Sequence, residues 1–184
     1  YAHDAVWFIA GSLAMGATMV KYGLDKRIGM LVMNLSGTKV RNVVLGILVG
    51  TAIPSAFISE ASIAPMFLPI AMALYTLTSK KIGDAPQLGK LLMMSIAIGC
   101  MVGAPMSPTG GARNAIMIGF LGNLGPEYEI SFMQWMILGS FYTFFLGLFF
   151  AFLLPLLYKP EVDDLSDAVN TLREDLKKHG KMTR

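Results

Sequence analysis

The chain has 184 residues, 54% of them hydrophobic and 15% charged, with 19 Gly and 14 Met. Soluble domains carry about 25% charged residues, so this shortfall, with a mean hydropathy of +0.58, points to lipid as the folding solvent. A disulfide scaffold is excluded by a lone cysteine, Cys100, and a nucleic-acid surface by a net charge of only +3 whose cations are scattered at segment ends.

In chain order, the pattern predicts an all-α integral membrane domain over 1–160. A short apolar span runs over 4–20; His3 and Asp4 stand at its start, where a signal peptide needs basic residues. The chain opens on Tyr1, so it is expected to be cut from something longer. Residues 24–37 begin with cations and continue apolar, too short to cross, which predicts an interfacial helix. The stretch 40–79 starts and ends beside cations and must turn round, either as two full spans or as a re-entrant hairpin. Its middle, from Pro54 to Pro65, holds two prolines, three serines and the charge of Glu60. Non-helical backbone at that depth needs protein or water to satisfy it.

Residues 89–122 make one crossing with too many residues for a straight helix. Their centre, Gly103 to Asn114, carries Pro105, Pro108 and the pair Gly110-Gly111, which predicts a broken helix. Residues 130–158 are long enough for a full span of about 20 residues. Their methionines and aromatics read as lipid-facing or packing residues. The segment 161–184 is read as an amphipathic helix and tail, with Leu165, Val169, Leu172 and Leu176 on one stripe, acids first and lysines last. That stripe is expected to lie on the membrane surface or against a partner segment.

Of the 15 Lys and Arg, all but Arg113 fall at Lys21 to Arg27, Lys39 and Arg41, Lys80 to Lys90, Lys159, and Arg173 to Arg184. The positive-inside rule makes these ends and the C-terminal tail cytoplasmic, in an inner or plasma membrane. Glu60 and Arg113 are then the charges inside the two irregular runs, where an ionisable group is paired or functional. Two hypotheses stand. Glu60 and Arg113 form a buried pair between hairpin tip and helix break, or Glu60 takes a cation or proton while Arg113 contacts an anionic substrate. Broken helices and re-entrant tips supply ion-coupled transport without cofactors. Enzyme chemistry is not expected: His3 and His179 lie at opposite ends, and Gly110-Gly111 lacks the Lys-Ser/Thr of a phosphate loop.

Ser55-Ala56-Phe57-Ile58-Ser59-Glu60-Ala61, followed by Met66-Phe67-Leu68-Pro69-Ile70, resembles the hairpin of the divalent anion/sodium symporters. Ala97-Ile98-Gly99 and Pro108 through Ile116 are similar to that family's glycine-rich break, and Gly23 to Arg27 and Phe132-x-x-Trp135 to its flanking segments. The resemblance covers nearly the whole chain. It implies one half of an inverted-repeat transporter, the first repeat, with the second repeat supplied elsewhere, a homodimer, and a small anion such as a di- or tricarboxylate or sulfate as substrate. It implies a cation site, with sodium as the candidate ion, formed from Ser55, Ser59, Glu60, Gly110 and Asn114. It implies substrate contacts from Glu60, Ala61, Thr109, Gly111 and Arg113. Glu60 stands where the motif has Asn, Ala61 where it has Thr, and Gly111 where a hydroxyl follows the loop glycine; Ala112 and Arg113 replace two prolines. An antiporter of the wider superfamily and a non-transporting scaffold subunit are the competing readings. Polar breaks carrying Glu60 and Arg113 argue against a scaffold, which plain lipid-spanning helices would serve.

Overall fold

A computed structural model describes residues 11, 14, 18, 21–22, 31–32, 34–58 and 60–179, with side chains from 175 onward not included. The span predicted over 4–20 and Ser59 at the hairpin tip lie wholly or largely outside these residues. Among the described residues the regular structure is helical. Five helices follow the predicted order: α1 Val40–Ser55, α2 Glu60–Ile82, α3 Pro86–Gly103, α4 Ala112–Leu124 and α5 Phe132–Leu157, followed by α6 Ser166–His179. Of the segment 24–37, Leu31, Val32, Asn34 and Leu35 are helical and the helix ends at Ser36.

At 1.5 Å per residue the 16 residues of α1 reach about 24 Å, short of a hydrocarbon core of about 30 Å. The 23 residues of α2 and the 26 of α5 exceed it, and both are apolar enough to cross. Between α1 and α2 the described residues 56–58 form a turn. Pro54 and Pro65, which bound the expected break, instead sit inside α1 and α2. Pro65 is the sixth residue of α2, past the first turn, so its missing N–H leaves the Ala61 carbonyl without that intrahelical donor.

Helix α3 is the axis of the packing, touching α1, α2 and α5. Its contact with α1 is a backbone approach that only glycine permits. A Cβ on Gly103 would stand 2.1 Å from the carbonyl oxygen of Ala52, and one on Gly99 would stand 2.0 Å from Thr51 Oγ1. Without a hydrophobic drive between helices in lipid, such close van der Waals packing is what associates them. Val43, Val44 and Ile47 of α1, Phe67 and Leu74 of α2, and Leu88, Leu91 and Leu92 of α3 form the buried core. Gly83, at φ +89° in the left-handed region, closes α2 and lets the chain reverse into α3.

Helix α6 extends this core. Leu165, Ala168, Val169 and Leu172 are buried against the lysine-rich end of α2, and Lys81 forms an ion pair with Asp167. The amphipathic stripe therefore has a partner within the chain. A short antiparallel bridge pairs Lys39 with Asp164, through Val40 N–H to Asp163 O at 3.0 Å and Leu165 N–H to Thr38 O at 2.8 Å. Glu161 reaches back to the start of α3, accepting from the amides of Gln87 at 2.8 Å and Leu88 at 3.0 Å. With Pro86 in the first turn, those two orphan amides receive a side-chain cap from the distant loop.

Candidate functional site

The broken helix and the hairpin tip meet at Gly110. After Gly103 the chain passes through two 3₁₀ turns, Ala104–Met106 and Pro108–Gly110, before α4 begins at Ala112. Proline chemistry explains the break. In a continuous helix Ala104 O would accept from residue 108, but Pro108 has no N–H. The Asn114 side-chain amide takes the freed carbonyl instead, donating to Ala104 O at 2.9 Å and to Ser107 O at 2.7 Å. Ser107 Oγ accepts from the Thr109 amide at 3.2 Å and shares a hydrogen bond with Thr109 Oγ1 at 2.9 Å. A Cβ on Gly110 would lie 2.1 Å from Ala104 O and 2.8 Å from Ser55 O, so tip and break touch through backbone.

Helix α5 supports the break from the other side. Trp135 Nε1–H donates to Pro105 O at 3.0 Å and Thr143 Oγ1–H donates to Val102 O at 2.9 Å. Gly139 lets α5 come close, since a Cβ there would stand 2.4 Å from Pro105 O. Trp135 and Thr143 are the positioning residues that sequence reasoning missed. Trp135 is among the aromatics read as lipid-facing or packing residues, and the signal available is the helix break itself, which leaves carbonyls such as those of Val102 and Pro105 for side chains to satisfy.

Glu60 opens α2 and Arg113 lies in the first turn of α4, and the two form an ion pair through Glu60 Oε1. Glu60 at a helix N-terminus is favoured by the helix dipole, whereas Arg113 at another is disfavoured and gains from the carboxylate beside it. The pair is asymmetric: the Arg113 side chain is 68% exposed and that of Glu60 30%. The second carboxylate oxygen, Glu60 Oε2, is buried with no hydrogen-bond partner. Ser55 is fully buried and its hydroxyl donates to Thr51 O at 2.6 Å. Gly111 is buried and extended, with open space where a Cβ would project, and no side chain caps the N-terminus of α4. Ala61 and Thr109 are exposed beside the junction. Of the expected residues, the fold therefore gathers Ser55, Glu60, Thr109, Gly110, Gly111, Arg113 and Asn114 around one junction, while Ser59 lies outside the described residues.

A hard cation prefers oxygen ligands. Glu60 Oε2 is an unpartnered oxygen of that kind, and Ser55 O lies against Gly110. By contrast, Ala104 O and Ser107 O are already engaged by Asn114. Among the described residues no cluster of His, Cys, Asp and Glu is suited to a transition metal.

A helical membrane protein in which a hairpin tip meets a broken helix through charged side chains has the build of a secondary transporter. The sequence profile of the sodium:sulfate symporter transmembrane region matches residues 1–184, and the chain belongs to that family, whose members are transporters and not enzymes. Its relatives include the sodium-dependent dicarboxylate transporter SdcS of Staphylococcus aureus, 24% identical over 99% of this chain and 36% of that protein. A membrane protein of Cupriavidus necator is 24% identical over 100% of this chain and 35% of its own length. The sodium-dependent high-affinity dicarboxylate transporter 3 of Caenorhabditis elegans is 26% identical over 73% of this chain and 26% of that protein. The chain thus spans about a third of the length of the relatives it matches most fully.

Proposed function

We propose that this chain is one inverted-repeat half of an ion-coupled secondary transporter for small dianions, with the junction of hairpin tip and broken helix as its half of the transport site. One observation carries the reading: Glu60 pairs with Arg113 through one oxygen and holds the other buried without a partner. The unpartnered oxygen, together with Ser55, takes the coupling cation. The exposed guanidinium and the uncapped start of α4 face the anion, where a planar fork suits a carboxylate or sulfate. The names of the relatives favour sodium as the cation and a dicarboxylate as the substrate. A proton on Glu60 is the second reading, favoured by the carboxylate that stands where the related motif has an amide.

In this reading α1, too short to cross, is the first arm of a re-entrant hairpin, and the lysine-rich ends with α6 face the cytoplasm. A second repeat completes the site from the side of α4, whose residues are all at least partly exposed. The intact protein acts as a dimer.

The test is counterflow of labelled succinate and sulfate in liposomes holding the intact parent protein, with sodium and pH gradients varied separately. Sodium-driven uptake lost in Glu60→Gln makes Glu60 a sodium ligand. Proton-driven uptake lost in the same variant makes it the proton carrier. Uptake unchanged by Glu60→Gln under both gradients sinks the assignment.

A further inference from the structure

Where α1 begins and α5 ends, a cavity of about 680 Å³ is lined by Lys39, Arg41, Asp163 and Asp164 together with Phe152 and Leu156. The four charges are exposed, and among the described residues none of them forms an ion pair. Arg41 lies over the Phe152 ring at 5.7 Å, and Asp164 accepts from the Ser166 amide at 3.1 Å. The two backbone bonds between residues 38–40 and 163–165 hold the acids beside the cations. Phe152 and Leu156 also line an apolar groove of about 370 Å³ that continues along α5 past Phe149 to Phe145. An open cleft lined by charges of both signs thus adjoins a shallow apolar groove on the outer face of a helix long enough to cross the membrane.

We infer that this cavity binds a glycerophospholipid whose headgroup carries a phosphate and a primary ammonium, as phosphatidylethanolamine does. Lys39 and Arg41 take the phosphate, and Asp163 and Asp164 take the ammonium, whose N–H groups can donate to carboxylates. One acyl chain follows the groove along α5. An anionic lipid would meet the cations but bring its charge against two carboxylates. A choline headgroup would offer the acids no N–H donor. The site is separate from the transport junction and does not rest on the function proposed for it.

The test is native mass spectrometry of the intact parent protein in detergent, titrated separately with dioleoyl phosphatidylethanolamine, phosphatidylcholine and phosphatidylglycerol. The expected result is one ethanolamine lipid per chain, held at least about fivefold more tightly than the other two, the factor that one surface charge contact is worth. Asp163→Asn should bring the ethanolamine and glycerol lipids to parity, and Lys39→Gln with Arg41→Gln should weaken ethanolamine lipid by at least about fivefold per cation. Equal affinity for all three lipids, preference for phosphatidylglycerol in the unaltered protein, or no retained lipid because another part of the parent covers the cavity would each overturn the inference. Melting of each variant in lipid-free detergent separates lost binding from lost folding. If a variant does not fold, the headgroup ranking of the unaltered protein decides alone.

Discussion

Trp135 donates its indole N–H to the carbonyl of Pro105 across 3.0 Å, tying the long span α5 to the helix break. In a continuous helix that carbonyl would accept from the Thr109 amide, which bonds Ser107 Oγ instead. Removing the indole donor leaves a partly buried carbonyl without its partner, at a cost of about 1–3 kcal/mol. Trp135→Phe is therefore expected to lower the stability of the intact parent by about 1 kcal/mol or more and to raise amide exchange across residues 104–111. Exchange confined to its original rate in that segment would show that Trp135 only packs.

Glu60 and Arg113 should behave as a coupled pair. Glu60→Gln strands a guanidinium at a helix N-terminus, and Arg113→Gln strands a carboxylate whose other oxygen is already unpartnered. Either single change should harm thermal stability in the parent more than the two together, with a coupling of at least about 0.5 kcal/mol. A double variant as damaging as the sum of the singles would mean that the two charges act independently.

The element order was legible because each break has a local chemical cause: proline without a donor, paired glycines, charges bracketing apolar runs. Polar residues at a break within an apolar stretch stand out in the same way, which is what singles out Glu60, Arg113 and Asn114 as candidates. What joins distant segments was not legible. The stripe of Leu165, Val169 and Leu172 announces a buried face, yet nothing in its spacing names α2 as the partner. Trp135 and Thr143 look like ordinary span residues until the carbonyls they satisfy are seen 30 and 41 positions away. Pro54 and Pro65 bound the expected break, yet the turn falls at residues 56–58 between them and each proline is accommodated inside a helix.

Glycine substitutions should divide by what a Cβ would meet. At Gly103 and Gly110 the nearest atom is a carbonyl oxygen at 2.1 Å, and backbone on both sides cannot yield as a flexible side chain would. Gly103→Ala and Gly110→Ala are expected to cost at least about 1–3 kcal/mol, the range for overpacking, and to reduce the monodisperse yield in detergent. Gly111→Ala is the matched control, for it has open space and an extended backbone at φ −171° that any residue adopts. Equal yields for Gly103→Ala, Gly110→Ala and Gly111→Ala would show that α1, α3 and the break are not in the backbone contact described.

Glu161 gives the fold an acid-sensitive tie. Partial desolvation of its carboxylate pushes the pKa up, but the hydrogen bonds from the Gln87 and Leu88 amides, with Lys90 nearby, outweigh it and hold the group below the usual glutamate value. A depressed folded value means that the unfolded chain binds the proton first as pH falls. The cap therefore contributes its full stability above the unfolded value of about 4.3 and loses it as pH drops through the lower folded value. Amide exchange at Gln87 and Leu88, measured in the intact parent from pH 7 down to pH 3 and corrected for intrinsic exchange, should show protection that fades over the acid end of that range. Glu161→Gln, which retains an oxygen acceptor but has no charge to lose, should start with weaker protection and show a flatter profile. Identical profiles for the two proteins would mean that the start of α3 does not depend on this carboxylate.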